Sequence, residues 1–219
     1  MQCCILAPQE LSIHAETREA ATMNLPNRLT VSRFIITVIF LIVLFSRFRG
    51  HESIALALFI AGSLTDYYDG KIARRDKLIT NFGTLMDPLA DKILICSAFI
   101  AFVDREWMPA WMVVTVVARE LAITGLRLLA ASQNVVLAAE RYGKDKTISQ
   151  VVAIISVLVM ASYREWGRIG QGFFGASIFW PGPWIHWFTE LAKWVAVGLT
   201  FFSGGMYLWR NRQIYSHDR

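Results

Sequence analysis

The sequence predicts an all-α, polytopic integral membrane protein with six transmembrane helices and both termini in the cytoplasm. Three observations carry that fold class. Hydrophobic residues make up 55% of the 219 and charged residues only 18%, against ~25% charged in soluble domains; mean hydropathy is +0.42. Apolar stretches approach the ~20 residues that cross a bilayer, and they recur along the chain. The basic residues of the connecting segments fall unequally on alternate sides, as the positive-inside rule requires.

The apolar run FIITVIFLIVLF places the first span at residues 29–45. The second, 53–74, opens on SIALALFIAGSL, and the third, 84–103, closes on ILICSAFIAFV. The fourth, fifth and last are expected at 108–131, 147–163 and 186–209. Short links occupy 47–52 and 104–107, and longer connections occupy 132–146 and 164–185. The last connection is rich in Gly, Trp and Phe, which suits the aromatic belt at the far membrane interface. With the N-terminus inside, the cytoplasmic segments hold 13 basic residues and the other side 5. No internal repeat supports an inverted-repeat transporter.

Residues 1–22 lack the basic start and long apolar core of a signal peptide. Met23 then opens MNLPNRLTVSR, so 1–22 is read either as untranslated or as an ordinary N-terminal extension. The expected organisation is that extension, a transmembrane domain at 23–209 and a cytoplasmic tail at 210–219. Cys3, Cys4 and Cys96 have neither metal-ligand nor disulfide spacing. The net charge is +5. No nucleic-acid motif accompanies it, and the basic residues suit an anionic leaflet and phosphate-bearing substrates.

The stretch from Asp66 to Asp91 reads DYYDGKIARRDKLITNFGTLMDPLAD. Ionisable groups at membrane depth are costly and by default mark a functional site. Asp66 and Asp69 are three apart and Asp87 and Asp91 four apart, so each pair shares a helix face. Two acids on each of two facing helices make a cage for hard divalent cations. The fourth predicted helix holds ARELAITGLRLLA, with Arg119 and Arg127 eight apart and near one face. RYGKDKT follows, with Lys144 and Lys146. These cations read as a basic pocket for an anionic ligand, or as a Glu120–arginine pair stitching helices with positive-inside lysines.

The acidic run resembles the signature of the CDP-alcohol phosphotransferases, D-x2-D-G-x2-A-R-x8-G-x3-D-x3-D, and matches it at Asp66, Asp69, Gly70, Ala73, Arg74, Gly83, Asp87 and Asp91. The resemblance implies transfer of a phosphatidyl-type group from a CDP-linked lipid to an alcohol, with release of CMP. It implies a metal site of Asp66, Asp69 and Asp87 for Mg2+ or Mn2+, with two ions. Asp91 is implied as general base and stands also among the metal ligands; the sequence does not separate those roles. Gly70, Ala73, Arg74 and Gly83 are implied against the CDP-lipid.

NLPNRLTVSR, MDPLADK, ARELAITGLR and GKDKT are similar to the phosphatidylglycerophosphate synthase branch of that family. That branch implies CDP-diacylglycerol and sn-glycerol 3-phosphate as substrates, with Arg119, Arg127, Lys144 and Lys146 on the acceptor phosphate. The resemblance also suggests a homodimer, and the 13-to-5 excess of basic residues orients the chain in the cytoplasmic (inner) membrane with its active site facing the cytoplasm. The alternatives are another acceptor (phosphatidylglycerol, serine or inositol phosphate) and a non-catalytic membrane binding or transport protein. Serine lacks a phosphate and needs no such basic pocket.

Overall fold

The structure, a computed structural model, describes residues 25–76, 81–132, 142–177, 181–210 and 212, with side chains for 31–65, 92–130, 146–177, 181–210 and 212. The long helices are α1 (Leu25–Phe45), α2 (His51–Asp76), α3 (Asn81–Asp104), α4 (Ala110–Ser132) and α5 (Tyr142–Ser162). A 3-10 turn (Tyr163–Trp166) and the short α6 (Gly167–Phe174) precede α7 (Trp184–Arg210). No strand occurs among the described residues. The segment 1–22 and nearly all of 210–219 lie outside them.

Every predicted helix is present, and most differ from expectation at their ends. α1 begins at Leu25, with Pro26 in the first turn, where a missing N–H costs nothing. α4 starts at Ala110, just after Pro109. The largest correction is α5. It begins at Tyr142, so Lys144 and Lys146 lie on a helix and not in a loop. The connection expected at 164–185 is also partly helical, through the 3-10 turn and α6.

Successive long helices reverse direction. α5 runs antiparallel to α7, as the Thr189–Ser156 and Gln150–Thr200 hydrogen bonds require. The short links gather at one end of the bundle. There the Gly50 N–H donates to Glu165 Oε1 at 3.0 Å and the Ser53 hydroxyl to Glu165 Oε2 at 2.8 Å. Gly50 has φ +88°, a conformation that glycine adopts without strain. Arg105 donates to the Leu44 carbonyl and so satisfies the C-terminus of α1. The C-terminal ends of α2 and α4 and the N-terminal ends of α3 and α5 lie at the other end.

The core occupies the half of the bundle nearest the short links. Phe40 and Leu44 of α1, Phe59 of α2, Phe99 and Phe102 of α3, Val116 of α4 and Leu158 of α5 are all fully buried. α1 packs on both α2 and α3, the two helices that carry the aspartates. Gly62 makes this three-helix contact close: a Cβ there would sit 3.0 Å from both Ile36 Cγ2 and Leu94 Cδ2.

The exterior is apolar. Ile42 and Val114 are 63% exposed, Phe201 73% and Trp209 70%. Among the described residues, Lys146–Phe174 and Trp184–Arg210 are long and apolar enough to cross a membrane, and Val31–Phe45 and His51–Thr65 are shorter apolar helices. An all-helical bundle with such a surface associates with membrane.

The packing at Gly62 sets a direct expectation. Gly62→Leu overpacks the contact and costs about 1–3 kcal/mol. Gly125→Ala, where the added Cβ meets nothing within 4 Å, leaves stability equal or higher. Thermal midpoints of the purified variants in detergent measure the contrast.

Candidate functional site: an acid-bearing helix pair beside a buried cationic cluster

Asp66, Asp69, Gly70, Ala73 and Arg74 lie on the C-terminal half of α2, and Gly83, Asp87 and Asp91 on the N-terminal half of α3. Their side chains lie outside the described set, as does that of Lys144. The backbone is helical through both segments, so the three- and four-residue spacings do place each pair of aspartates on one helix face. Gly83 falls inside the first turn of α3 and Pro88 in its second.

The donor set fits a hard divalent cation. Four carboxylates on two successive helices offer oxygen ligands of the kind that Mg2+ and Mn2+ prefer. Among the described residues no other group of three or more His, Cys, Asp or Glu side chains competes for a metal.

Next to this pair the structure assembles a cluster around Glu120 of α4, which is 3% exposed. Its Oε2 pairs with Lys92 Nζ of α3 at 3.2 Å. Its Oε1 accepts from Arg119 at 3.2 Å, from Gln150 Nε2 at 3.3 Å and from Lys146 Nζ. Gln150 also donates to Thr200 Oγ1 of α7 at 3.1 Å. Arg119 reaches Ser203 Oγ of α7 at 3.3 Å. It passes close beneath Gly204, where a Cβ would come within 2.7 Å of Arg119 Cγ. α3, α4 and α5 thus meet at one carboxylate, and Gln150 and Arg119 carry the contact on to α7.

The cluster opens onto a cavity of about 520 Å³ between α1, α2, α3 and α5. Arg33, Ser63, Lys92, Glu120, Thr147 and Gln150 line it, with aliphatic side chains between them. Leu64, also in the lining, lies two residues before Asp66, and Lys92 directly follows Asp91. Adjacent Cα atoms are ~3.8 Å apart, so chain continuity brings the acidic segments to the edge of this cavity.

Of the residues predicted for the acceptor, Arg119 and Lys146 come together at Glu120. Arg127 does not join them. It lies two turns further along α4, donating to Tyr207 Oη at 3.4 Å with its guanidinium 5.6 Å from the ring centroid. Arg119 and Arg127 do share a face, since both reach α7. Arg119 is partly buried, with 14% of its side chain exposed, whereas Arg127 is exposed. Glu120 does pair with an arginine, but Arg119 is its neighbour on α4; the pairs that stitch helices are those of Glu120 with Lys92 and Lys146.

Sequence reasoning missed Lys92, Gln150, Thr200 and Ser203. Two signals were available. Lys92 follows Asp91 directly, and Gln150 is four residues after Lys146 and so on its face. Thr200, Ser203 and Gly204 carry no comparable signal. Small residues in an apolar helix serve close packing in general.

Residues 23–202 match the CDP-alcohol phosphatidyltransferase family, and the chain belongs to it. It is 39% identical over 200 residues to the CDP-diacylglycerol–glycerol-3-phosphate 3-phosphatidyltransferase of Bacillus subtilis, covering 86% of this chain and 95% of that protein. The enzyme of the same name from Rickettsia felis is 30% identical over 184 residues, 84% of this chain and 93% of that protein. A third of that name, from Mycoplasma genitalium, is 32% identical over 160 residues, 72% of this chain and 62% of that protein.

The Gln150 bridge is testable apart from any activity. Gln150→Leu removes the donor shared between Glu120 and Thr200 and costs about 1–3 kcal/mol. Thr200→Val combined with it is non-additive by about 0.5 kcal/mol or more. A double-mutant cycle on detergent unfolding measures both.

Proposed function

We propose that this chain transfers the phosphatidyl group of CDP-diacylglycerol to sn-glycerol 3-phosphate, giving phosphatidylglycerol phosphate and CMP in phospholipid biosynthesis. The observation that carries the reading is the acidic signature, complete at all eight positions and set on two helices that pack against a common third. The names of the relatives agree with it.

Asp66, Asp69, Asp87 and Asp91 would hold Mg2+ or Mn2+, in all two ions. Such ions, when bound, neutralise charge on the pyrophosphate and on the departing nucleotide. Gly70, Ala73 and Gly83 leave room for close approach of the CDP-lipid, and the planar fork of Arg74 suits its phosphates. Arg119 and Lys146, with Lys144, take the acceptor phosphate. Asp91 accepts the proton of the glycerol 1-hydroxyl. The freed oxygen attacks the phosphorus that bears diacylglycerol, the bond from that phosphorus to the CMP phosphate oxygen breaks, and CMP leaves with the bonding pair. In-line placement of two bound partners supplies much of the acceleration.

The reading extends to topology. All six long helices cross the cytoplasmic membrane, both termini and the aspartates face the cytoplasm, and the chain works as a homodimer. The excess of basic residues in the segments on that side supports the orientation. The aromatic contacts among Trp166, Phe173, Phe174 and Trp184 support a seat for 164–185 at the opposite interface.

Purified protein with Mg2+ and CDP-diacylglycerol is expected to release CMP only when glycerol 3-phosphate is added. Release driven by serine or inositol phosphate instead would discard the acceptor assignment, and no release from folded protein would discard the reaction. Asp91→Asn lowers turnover by about 10³-fold with CDP-lipid binding retained; an equal loss of binding would sink the base role. Arg119→Ala raises KM for glycerol 3-phosphate about ten-fold or more, with a smaller change in kcat.

A further inference from the structure

Glu120 takes no part in the reaction as written, yet the cationic cluster closes on it. Its two oxygens face different helices. Oε2 meets Lys92 of α3, the residue after Asp91, at 3.2 Å. Oε1 meets Lys146 and Gln150 of α5 together with Arg119 of its own helix. Lys146 and Glu120 each have only 4% of the side chain exposed. The carboxylate also lines the cavity, together with Lys92 and Gln150, two of the groups it holds, so a bound ligand meets the cluster at that edge.

The acceptor imposes a fixed span. In glycerol 3-phosphate the phosphate and the reacting hydroxyl sit on opposite ends of a three-carbon chain. Productive binding therefore needs the cations on α4 and α5 held at a set separation from Asp91 on α3. Glu120 is the side chain that ties those helices together next to both ends of that span. A carboxylate carries a negative charge on two acceptor oxygens, and here Oε1 faces three of the four donors and Oε2 one. A glutamine at the same place offers a single oxygen and turns an NH2 toward a cation.

From this geometry we infer that Glu120 is a positioning residue for the acceptor, fixing Arg119 and Lys146 relative to Asp91 through Lys92. The inference rests on the reading of Arg119 and Lys146 as acceptor-phosphate residues. A simple helix staple would act on stability alone. A positioning residue acts on the acceptor and spares the nucleotide lipid.

The experiment measures kcat, both KM values and the thermal midpoint for full-length Glu120→Gln, Glu120→Asp and Arg119→Ala in detergent. Glu120→Gln is expected to raise KM for glycerol 3-phosphate about ten-fold or more while KM for CDP-diacylglycerol stays within about two-fold. Glu120→Asp keeps the charge on a shorter stem and gives a smaller rise in the same KM. A folded Glu120→Gln protein with both KM values unchanged, or with both raised alike, overturns the inference. Should Glu120→Gln fail to fold, an unchanged glycerol 3-phosphate KM in Glu120→Asp overturns it. Arg119→Ala separates the two layers. If it leaves that KM unchanged, the acceptor reading falls and this inference with it; if it raises the KM while the Glu120 variants do not, only the role of Glu120 falls.

Discussion

The structure depends on the cost of charge inside an apolar bundle. A buried carboxylate or ammonium is tolerable only when paired and hydrogen-bonded. Glu120 meets that condition by drawing Lys92, Arg119 and Lys146 onto itself, with Gln150 filling a remaining site. Lys92 brings α3, and Lys146 and Gln150 bring α5, to the helix that carries Glu120 and Arg119. The requirement to satisfy one carboxylate therefore fixes how α3, α4 and α5 sit, and Gln150 extends the constraint to α7 through Thr200. Close passage of Arg119 under Gly204 is a consequence, because a larger residue there would push the guanidinium away from Ser203.

The two halves of the bundle divide the work accordingly. Near the short links, interlocking Phe40, Phe59, Phe99 and Phe102 supply packing without polar demand. The other half holds the cavity and the cationic cluster and leads into the acid-bearing segments. Lipid tails are as apolar as leucine, so the exterior gives no force to bring helices together. Interlocked side chains in one half and charged contacts in the other do that instead. The rigid half holds the polar half in place, as a site that must fix two substrates requires.

The helices and the acids were legible in the sequence because both signals are local. Apolar runs of bilayer length are read from composition, and the i,i+3 and i,i+4 spacing of the aspartates needs only helical backbone. The bounds of α5 were not legible: YGKDK is too charged to read as helix by hydropathy, yet it carries Lys146 into the core as the first turns of α5. Arg119 and Lys146 were grouped from sequence as one basic pocket, or as a Glu120–arginine pair with positive-inside lysines; the convergence of both cations on Glu120 with Lys92 and Gln150 was not legible. That arrangement joins residues 92, 120, 146 and 150, and only the packing of separate helices brings them together. Arg127 shows the reverse error. It shares the face of Arg119, but two turns along a helix carry it to Tyr207 and out of the cluster.

Stability alone does not account for the Glu120 cluster. Well-packed apolar residues of similar volume can replace a buried ionic group without loss and often with gain, and the neighbouring half of this bundle is built that way. What apolar residues cannot do is hold cations at fixed positions beside a cavity. Lys and Arg side chains have many rotamers, and ordering them on ligand binding would weaken that binding. Anchoring them on one carboxylate meets that entropic cost during folding, before the ligand arrives. The same anchor limits how strongly the cations can grip, since a ligand anion must share them with Glu120. A site so arranged favours defined placement over tight binding, which suits a substrate that must present one hydroxyl to one base and then depart as product.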